Sequence, residues 1–127
     1  MSNGRFAVIG LLLGFALTAQ ADVIDEKLAQ YRTEGAQAFS AEAGLNLWIS
    51  NHNGRSCTQC HGDSPQGVGK HIKTGKQIKP MAPSVNPQRF TDSDKIDKWF
   101  LRNCKWTLKR VCSAQEKGDI LVWIREQ

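Results

Sequence analysis

The 127-residue chain has no hydrophobic run long enough to cross a bilayer comfortably. Its one long apolar stretch, residues 6–17, follows Arg5 and precedes the small residues Ala19-Gln20-Ala21. A basic start, a short apolar core and an A-x-A site are typical of a secretory signal peptide, with an uncleaved membrane anchor as the alternative. We therefore expect residues 1–21 to be a signal peptide cleaved after Ala21, and residues 22–127 to form one small exported domain.

Cysteine is also scarce, and the four cysteines fall in two places. Cys57 and Cys60 belong to the stretch Cys-Thr-Gln-Cys-His, which ends at His61. A thioredoxin-type dithiol would need a strand–helix–strand context, which is lacking here. A zinc site would need two more ligands at a suitable spacing, and Cys104 and Cys112 fit neither a zinc knuckle nor a zinc ribbon. These absences favour the remaining interpretation, the C-x-x-C-H signature of c-type haem attachment.

The spacing of this motif suits one covalent haem c. Two thiols three positions apart can each add across one vinyl group of the same porphyrin, so Cys57 and Cys60 would carry the haem. His61 follows directly and would be the proximal iron ligand. Because c-type haem is attached outside the bacterial inner membrane, the motif agrees with export, and we expect a periplasmic protein.

Cys104 and Cys112 are the cysteines left over after haem attachment. An oxidising compartment favours a disulfide between them over two free thiols. We therefore expect this pair to be bonded.

Positive charge exceeds negative charge, with 17 Lys and Arg against 12 Asp and Glu. Lys70, Lys73, Lys76 and Lys79 recur every three residues, which is consistent with a docking surface for an acidic redox partner or with a solvated loop. The chain carries no recognised nucleic-acid-binding motif, so nucleic acid is not an expected partner.

The order of elements predicts an all-α fold. A weak helical stretch over residues 23–36 precedes a first clear helix from Ser40, with Leu45, Trp48 and Ile49 on one apolar face. The next helix begins after residues 91–94 and ends at about Cys104. The last helix follows the capping box of residues 113–116 and continues to the C-terminus.

This layout of helix, C-x-x-C-H, long loop, helix and helix is that of a class I cytochrome c. The loop is rich in glycine and proline, and a loop of this length usually serves a function, here to surround the haem. Gly44 and Trp48 on the first helix, with Trp123 on the last, fit a close helix crossing at a position that has no Cβ atom.

The sixth iron ligand has two candidates. Met81 is the only Met after residue 21, and it would give a closed, low-spin electron carrier. Asn103 shares a helix face with Ile96, Trp99 and Phe100, and its side-chain oxygen could bind ferric iron, or it could cap the helix or bond the backbone. The residues alone leave these alternatives open.

A family resemblance favours Asn103 over Met81 as the sixth ligand. From Ser56 to the C-terminus the chain resembles the oxygen-binding, asparagine-ligated class I cytochromes c of the sphaeroides haem protein (SHP) type. The matching segments are 56–62, 74–78, 82–84, 87–93, 98–104, Cys112 and 116–123.

The resemblance implies that Asn103 binds the oxidised iron, beside a Cys104–Cys112 disulfide, and leaves on reduction. It also implies a high-spin site for O₂, NO or similar ligands, with a dihaem cytochrome c and a membrane cytochrome b as electron donors. Met81 stands where the family has another apolar residue, which keeps Met ligation as the alternative. Arg102, Lys105, Lys109 and Arg110 lie near Asn103 in sequence, and any that face the pocket would favour anionic ligands.

Three functions follow from these alternatives. The first is a ligand-binding haem protein with oxygen or NO chemistry, like that of a terminal oxidase or an NO dioxygenase, supported by partner electron donors. The second is a plain electron carrier with His61 and Met81 as ligands. The third is a gas sensor or scavenger without turnover.

Overall fold

The computed structural model describes Met1 and residues 22–127, so the expected signal peptide lies outside the described residues. Five helices, α1 (Val23–Thr33), α2 (Ala41–Ile49), α3 (Thr58–His61), α4 (Ser93–Thr107) and α5 (Ala114–Arg125), account for most of the regular structure in this part of the chain. Between α3 and α4, β1 (Gly69–Lys70) and β2 (Gln77–Ile78) form an antiparallel pair, with Gly69 opposite Ile78. Within residues 22–127 no helix has the length and apolar character that a membrane crossing requires.

Local sequence sets the helix starts. Ser40, Asp92 and Ser113 each cap a helix by accepting a backbone N–H three residues ahead, and Glu116 completes a capping box with Ser113. The starts at Ser40 and Ser113 confirm the sequence predictions, whereas α4 begins at Ser93, inside the predicted cap of residues 91–94. α4 extends to Thr107, one turn beyond the predicted end.

The crossing of α2 and α5 forms one of the two apolar clusters. A Cβ atom at Gly44 would lie 2.1 Å from the backbone oxygen of Asp119 on α5, so only glycine permits this approach. Trp48 and Trp123 pack at the same crossing with ring centroids 5.2 Å apart, as the sequence predicts.

The predicted apolar face of α2 is wrong for two of its three residues. Leu45 and Ile49 are 36% and 52% exposed, whereas Trp48 is 3% exposed. The contact at Gly44 selects the stripe of Gly44, Leu47 and Trp48 for the interior, and this stripe turns Leu45 and Ile49 outward.

The second cluster joins α1, α4 and α5. Ile24, Leu28 and Tyr31 of α1 pack with Ile96 of α4 and Leu121 of α5. The Lys27 ammonium, which is 2% exposed, pairs with Asp97 at 2.5 Å and fastens the beginning of α4 to α1. At the other end of α4, Cys104 and Cys112 form the expected disulfide.

Candidate haem site

A cavity of about 780 Å³ lies between the C-x-x-C-H segment, the β1–β2 hairpin, α4 and α5. Its wall includes Cys57, Cys60, His61, Met81 and Asn103, so the structure brings all five predicted haem-binding and iron-ligating residues to one site. Most of the cavity wall is apolar, and a cavity with apolar walls and a few polar groups suits a cofactor.

Cys57 and Cys60 are half-buried free thiols in this wall. Burial raises the pKa of the Cys57 thiol to about 11. Thioredoxin-type dithiols work with a lowered thiol pKa, so this environment argues against dithiol redox chemistry. Cys104 and Cys112 are bonded to each other and therefore cannot complete a zinc site. Among residues 22–127 no group of three His, Cys, Asp or Glu side chains is placed to hold a metal ion.

The His61 imidazole has the properties of a proximal iron ligand. Its Nδ1 is buried and has no hydrogen-bond partner among the described residues. Burial, with a smaller effect from the Arg89 charge, lowers the His61 pKa to about 4, which keeps the ring neutral, and neutral imidazole is the form that binds metal. A neutral imidazole that lines the cavity directly after two half-buried thiols fits a covalently attached haem.

The Trp48 side chain and the backbone of Gly69 together fix the position of His61. Trp48 lies 5.2 Å from the His61 ring, centroid to centroid, and its Nε1 donates to the Gly62 carbonyl at 3.2 Å. A Cβ atom at Gly69 would lie 2.2 Å from the Cys60 oxygen and 3.0 Å from Cα of His61. Gly69 therefore lets β1 pack directly on the motif, a role that the sequence analysis missed although the glycine was visible.

On the opposite wall, α4 presents Trp99, Phe100, Asn103 and Trp106 to the cavity. Ile96, on the same helix face, is 4% exposed and packs into the α1 cluster, whereas Trp99, Phe100 and Asn103 follow it along the cavity. The C-cap of α4 is Leu108, so Asn103 does not cap the helix.

Met81 also lines the cavity but belongs to the apolar cluster of Trp48 and Trp123. Its backbone N–H donates to the Pro65 oxygen at 2.7 Å, four residues beyond His61. Met81 is therefore connected to the side of the site that holds His61.

Cations dominate the charged residues of the cavity wall. Lys73, Lys79, Arg89, Lys95 and Arg102 line it, and Asp92 is the carboxylate among the lining residues. Asp92 lies 3.2 Å from Lys95, which balances its charge.

Of the four cations predicted near Asn103, only Arg102 reaches the wall. Arg110 instead pairs with Glu116 at 2.7 Å, and Lys105 and Lys109 are exposed. Two cations of the wall were missed: Arg89 lies in the loop before α4, and Lys95 lies two turns before Asn103 on α4.

Comparison with known proteins identifies the family. Residues 34–124 match a family described as Domain of unknown function (DUF1924). The chain is 36% identical to the cytochrome c-type protein SHP of Cereibacter sphaeroides, over 97% of this chain and 98% of that protein. The solved structure of oxidized SHP, an oxygen-binding cytochrome c, matches with a TM-score of 0.78 and 37% identity, over 85% of this chain and all of that one.

This chain belongs to the SHP family of cytochromes c. As a member it has the class I cytochrome c-like fold and carries one haem c.

Cytochrome c'' of Methylophilus methylotrophus is a second relative, 44% identical over 93% of this chain and 90% of that protein. Its solution structure, solved with a focus on haem-ligand detachment, matches with a TM-score of 0.69 and 30% identity, over 82% of this chain and 93% of that one.

Proposed function

We propose that this chain is a periplasmic, high-spin SHP-type cytochrome that binds O₂, NO or a similar small ligand when Asn103 leaves the iron. Cys57 and Cys60 would hold the haem and His61 the proximal side of the iron, in agreement with the buried imidazole. The haem would supply an iron that changes oxidation state and binds the ligand. The observation that carries the proposal is the position of Asn103 on α4, lining the same cavity as His61.

The chemistry of an amide oxygen explains why ligation would depend on oxidation state. Asn103 offers a hard, neutral, weak donor, which suits Fe(III) better than the softer Fe(II). Reduction would therefore weaken the bond and free a coordination position. The focus on haem-ligand detachment in the cytochrome c'' structure supports the same behaviour here.

The alternative ligand, Met81, is less well supported. Its backbone bond to Pro65 connects it to the segment that follows His61, and its side chain packs against the apolar cluster of Trp48, Ile120, Trp123 and Ile124. A sixth ligand has to approach the iron from the side opposite the proximal histidine. The contacts of Met81 thus favour a packing role over ligation.

The surplus of cations along the cavity indicates which ligands it would hold best. Five Lys and Arg side chains face one carboxylate, which is itself paired with Lys95. Such a wall attracts the haem propionates and favours small anionic ligands over neutral ones of equal size. This preference is compatible with oxygen or NO chemistry that develops negative charge on the ligand.

Electrons would enter beside the β1–β2 hairpin from an acidic partner. Residues 64–91 contain Lys70, Lys73, Lys76, Lys79 and Arg89 but no Asp or Glu. A dihaem cytochrome c and a membrane cytochrome b are the donors that the family resemblance implies. Charge reversal by Lys73→Glu with Lys76→Glu should slow reduction by an acidic donor at low salt, and the difference should fade at high salt.

Spectra and rapid mixing of the exported holoprotein test the proposal. The ferric protein should be high-spin, and the ferrous protein should bind O₂ and NO in a single bimolecular phase. A low-spin ferric spectrum with a sulfur-to-iron charge-transfer band would instead establish His61/Met81 ligation and a plain electron carrier.

Two further assays test location and turnover. The mass of the periplasmic protein should equal residues 22–127 plus one haem. Steady consumption of O₂ or NO with a reductant would establish turnover, whereas binding without consumption would identify a sensor or scavenger.

A further inference from the structure

Arg55 connects the haem-attachment segment directly to the helix that carries Asn103. Its guanidinium Nη1 donates to the Trp106 carbonyl at 2.7 Å, and its Cζ lies 4.6 Å from the centroid of the Trp106 ring. Trp106 lies in the last turn of α4, where carbonyl oxygens lack partners within the helix. A cation at this end also interacts favourably with the helix dipole. One side chain therefore satisfies the helix end and covers the aromatic ring beside it.

The backbone beneath Arg55 is itself well held. The N–H groups of His52 and Arg55 donate to each other's carbonyls, at 2.6 and 3.3 Å. The Gln59 side chain bonds both Gly54, at 3.1 Å, and Ser56, at 3.3 Å. Arg55 therefore extends from a hydrogen-bonded stretch of backbone, and Cys57, the first expected haem-attachment residue, follows two residues later.

The other bonds that hold α4 connect it to parts of the molecule outside the attachment segment. Lys27 and Asp97 tie its beginning to α1, and the disulfide of Cys104 ties its last turns to the segment before α5. Arg55 instead connects the last turn of α4 to the attachment segment, and both Asn103 and Trp106 on this helix line the cavity. Asn103 lies three residues before Trp106, so one helical turn separates the anchored carbonyl from the proposed ligand.

We propose that Arg55 is a positioning residue that holds the Asn103 turn of α4 within binding distance of the ferric iron. The inference rests on the proposed function, since it assumes that Asn103 is the dissociable ligand. Lysine does not replace arginine here, because a compact ammonium group lacks the planar guanidinium that contacts the Trp106 ring while one of its nitrogens donates to the Trp106 carbonyl. Loss of this contact shifts the population toward the Asn103-dissociated form.

The test uses the ferric holoprotein, with azide as the probe ligand and absorbance and EPR spectra as direct readouts. Arg55→Lys keeps the charge, and Arg55→Gln keeps a hydrogen-bond donor without the charge. Both should raise the azide association rate roughly 5- to 30-fold, equivalent to about 1–2 kcal/mol, and both should shift the spectrum toward that of Asn103→Ala. Arg32→Lys is the matched control, because Arg32 on α1 makes a similar contact, with its Cζ 5.0 Å from the centroid of the Phe39 ring. This substitution should leave the azide association rate and the ferric spectrum unchanged.

The same substitutions in an Asn103→Ala background separate an effect on the position of Asn103 from an effect on access to the cavity. Without Asn103, Arg55→Lys should no longer change the azide rate. An equal rate increase in both backgrounds would overturn the inference, because Arg55 would then act on access to the cavity. A wild-type rate and spectrum for Arg55→Lys would also overturn it. If Asn103→Ala alone left the ferric spectrum unchanged, the proposed function would fail as well, and the two failures are thereby distinguished.

Discussion

The two walls of the cavity are held in place by different means. The proximal wall is fixed by backbone contact, since β1 passes so close to Cys60 that Gly69 has no room for a methyl group. The distal wall is one helix, α4, held by side-chain bonds from Lys27, Arg55 and the Cys104 disulfide. The difference is that a backbone contact leaves no room for adjustment, whereas side-chain tethers allow a ligand-bearing helix to shift. The ligand proposed to stay bound lies on the rigid wall, and the one proposed to leave lies on the adjustable wall.

The largest effect is expected where the rigid wall is broken. In Gly69→Ala the new methyl group would lie 2.2 Å from the Cys60 oxygen, and a backbone atom cannot move aside as a side-chain end can. We expect a loss of about 3 kcal/mol in the free energy of unfolding, at the upper end for overpacking, and reduced haem attachment. Chemical denaturation and the ratio of haem absorbance to protein measure both effects.

Gly67→Ala is the matched control for this substitution. Its Cβ atom would lie 3.4 Å from the nearest atom, the Ser64 oxygen, which is ordinary contact. A small change in stability and normal haem content are expected. Equal behaviour of the two variants would show that the proximal wall is not sterically fixed.

The next largest effect is expected from removing the disulfide that holds α4, the distal wall. Replacing Cys104 and Cys112 with Ser removes a bond that closes a loop with a sequence separation of 8. The chain-entropy relation gives a cost of about 2–3 kcal/mol. Haem attachment should be normal, but ligand association with the ferric protein should be faster because α4 is less restrained. Unchanged association kinetics in a less stable protein would contradict the link between this tether and ligand release.

The smallest effect is expected at Glu116, in the first turn of α5. Its pKa is lowered, first by the hydrogen bond from Arg110, so the ionised form stabilises the fold. This stability is present above the ordinary pKa of a glutamate, near 4.3, and is lost as the pH falls through the lowered folded-state value. Glu116→Gln should therefore cost about 0.5–1 kcal/mol at pH 7 and progressively less below about pH 4.

Thermal unfolding of Glu116→Gln at several pH values measures this difference. Arg110→Met should reduce the same pH dependence, because Arg110 has the largest effect on the Glu116 pKa, but should not abolish it, because the Ser113 N–H still donates to Glu116. A constant difference between wild type and Glu116→Gln at all pH values would show that the ionised pair does not stabilise this segment.

The helix caps at Ser40 and Ser113 were predicted correctly because each depends on neighbours in sequence. The close crossing at Gly44 was predicted from its missing Cβ atom, and the structure confirms it. The apolar face of α2 was mispredicted because its rotation follows from Gly44 meeting α5, which is a distant contact.

The charges near the iron show the same limit. Arg89 reaches the cavity from the loop before α4, whereas Arg110, seven residues after Asn103, pairs with Glu116 and does not line the cavity. The bond of Met81 to Pro65 and its packing against the apolar cluster could not be predicted either, because they depend on how the long loop folds back on the motif.

The ferric spectrum of Asn103→Ala, beside that of Met81→Leu, tests the central claim most directly. Asn103→Ala should retain its haem but change the ferric spectrum and bind azide faster, because no protein ligand has to leave. Met81→Leu should match the wild type in both respects. A silent Asn103→Ala, together with a Met81→Leu that abolishes a low-spin, sulfur-ligated spectrum, would contradict the account and make the protein an ordinary electron carrier.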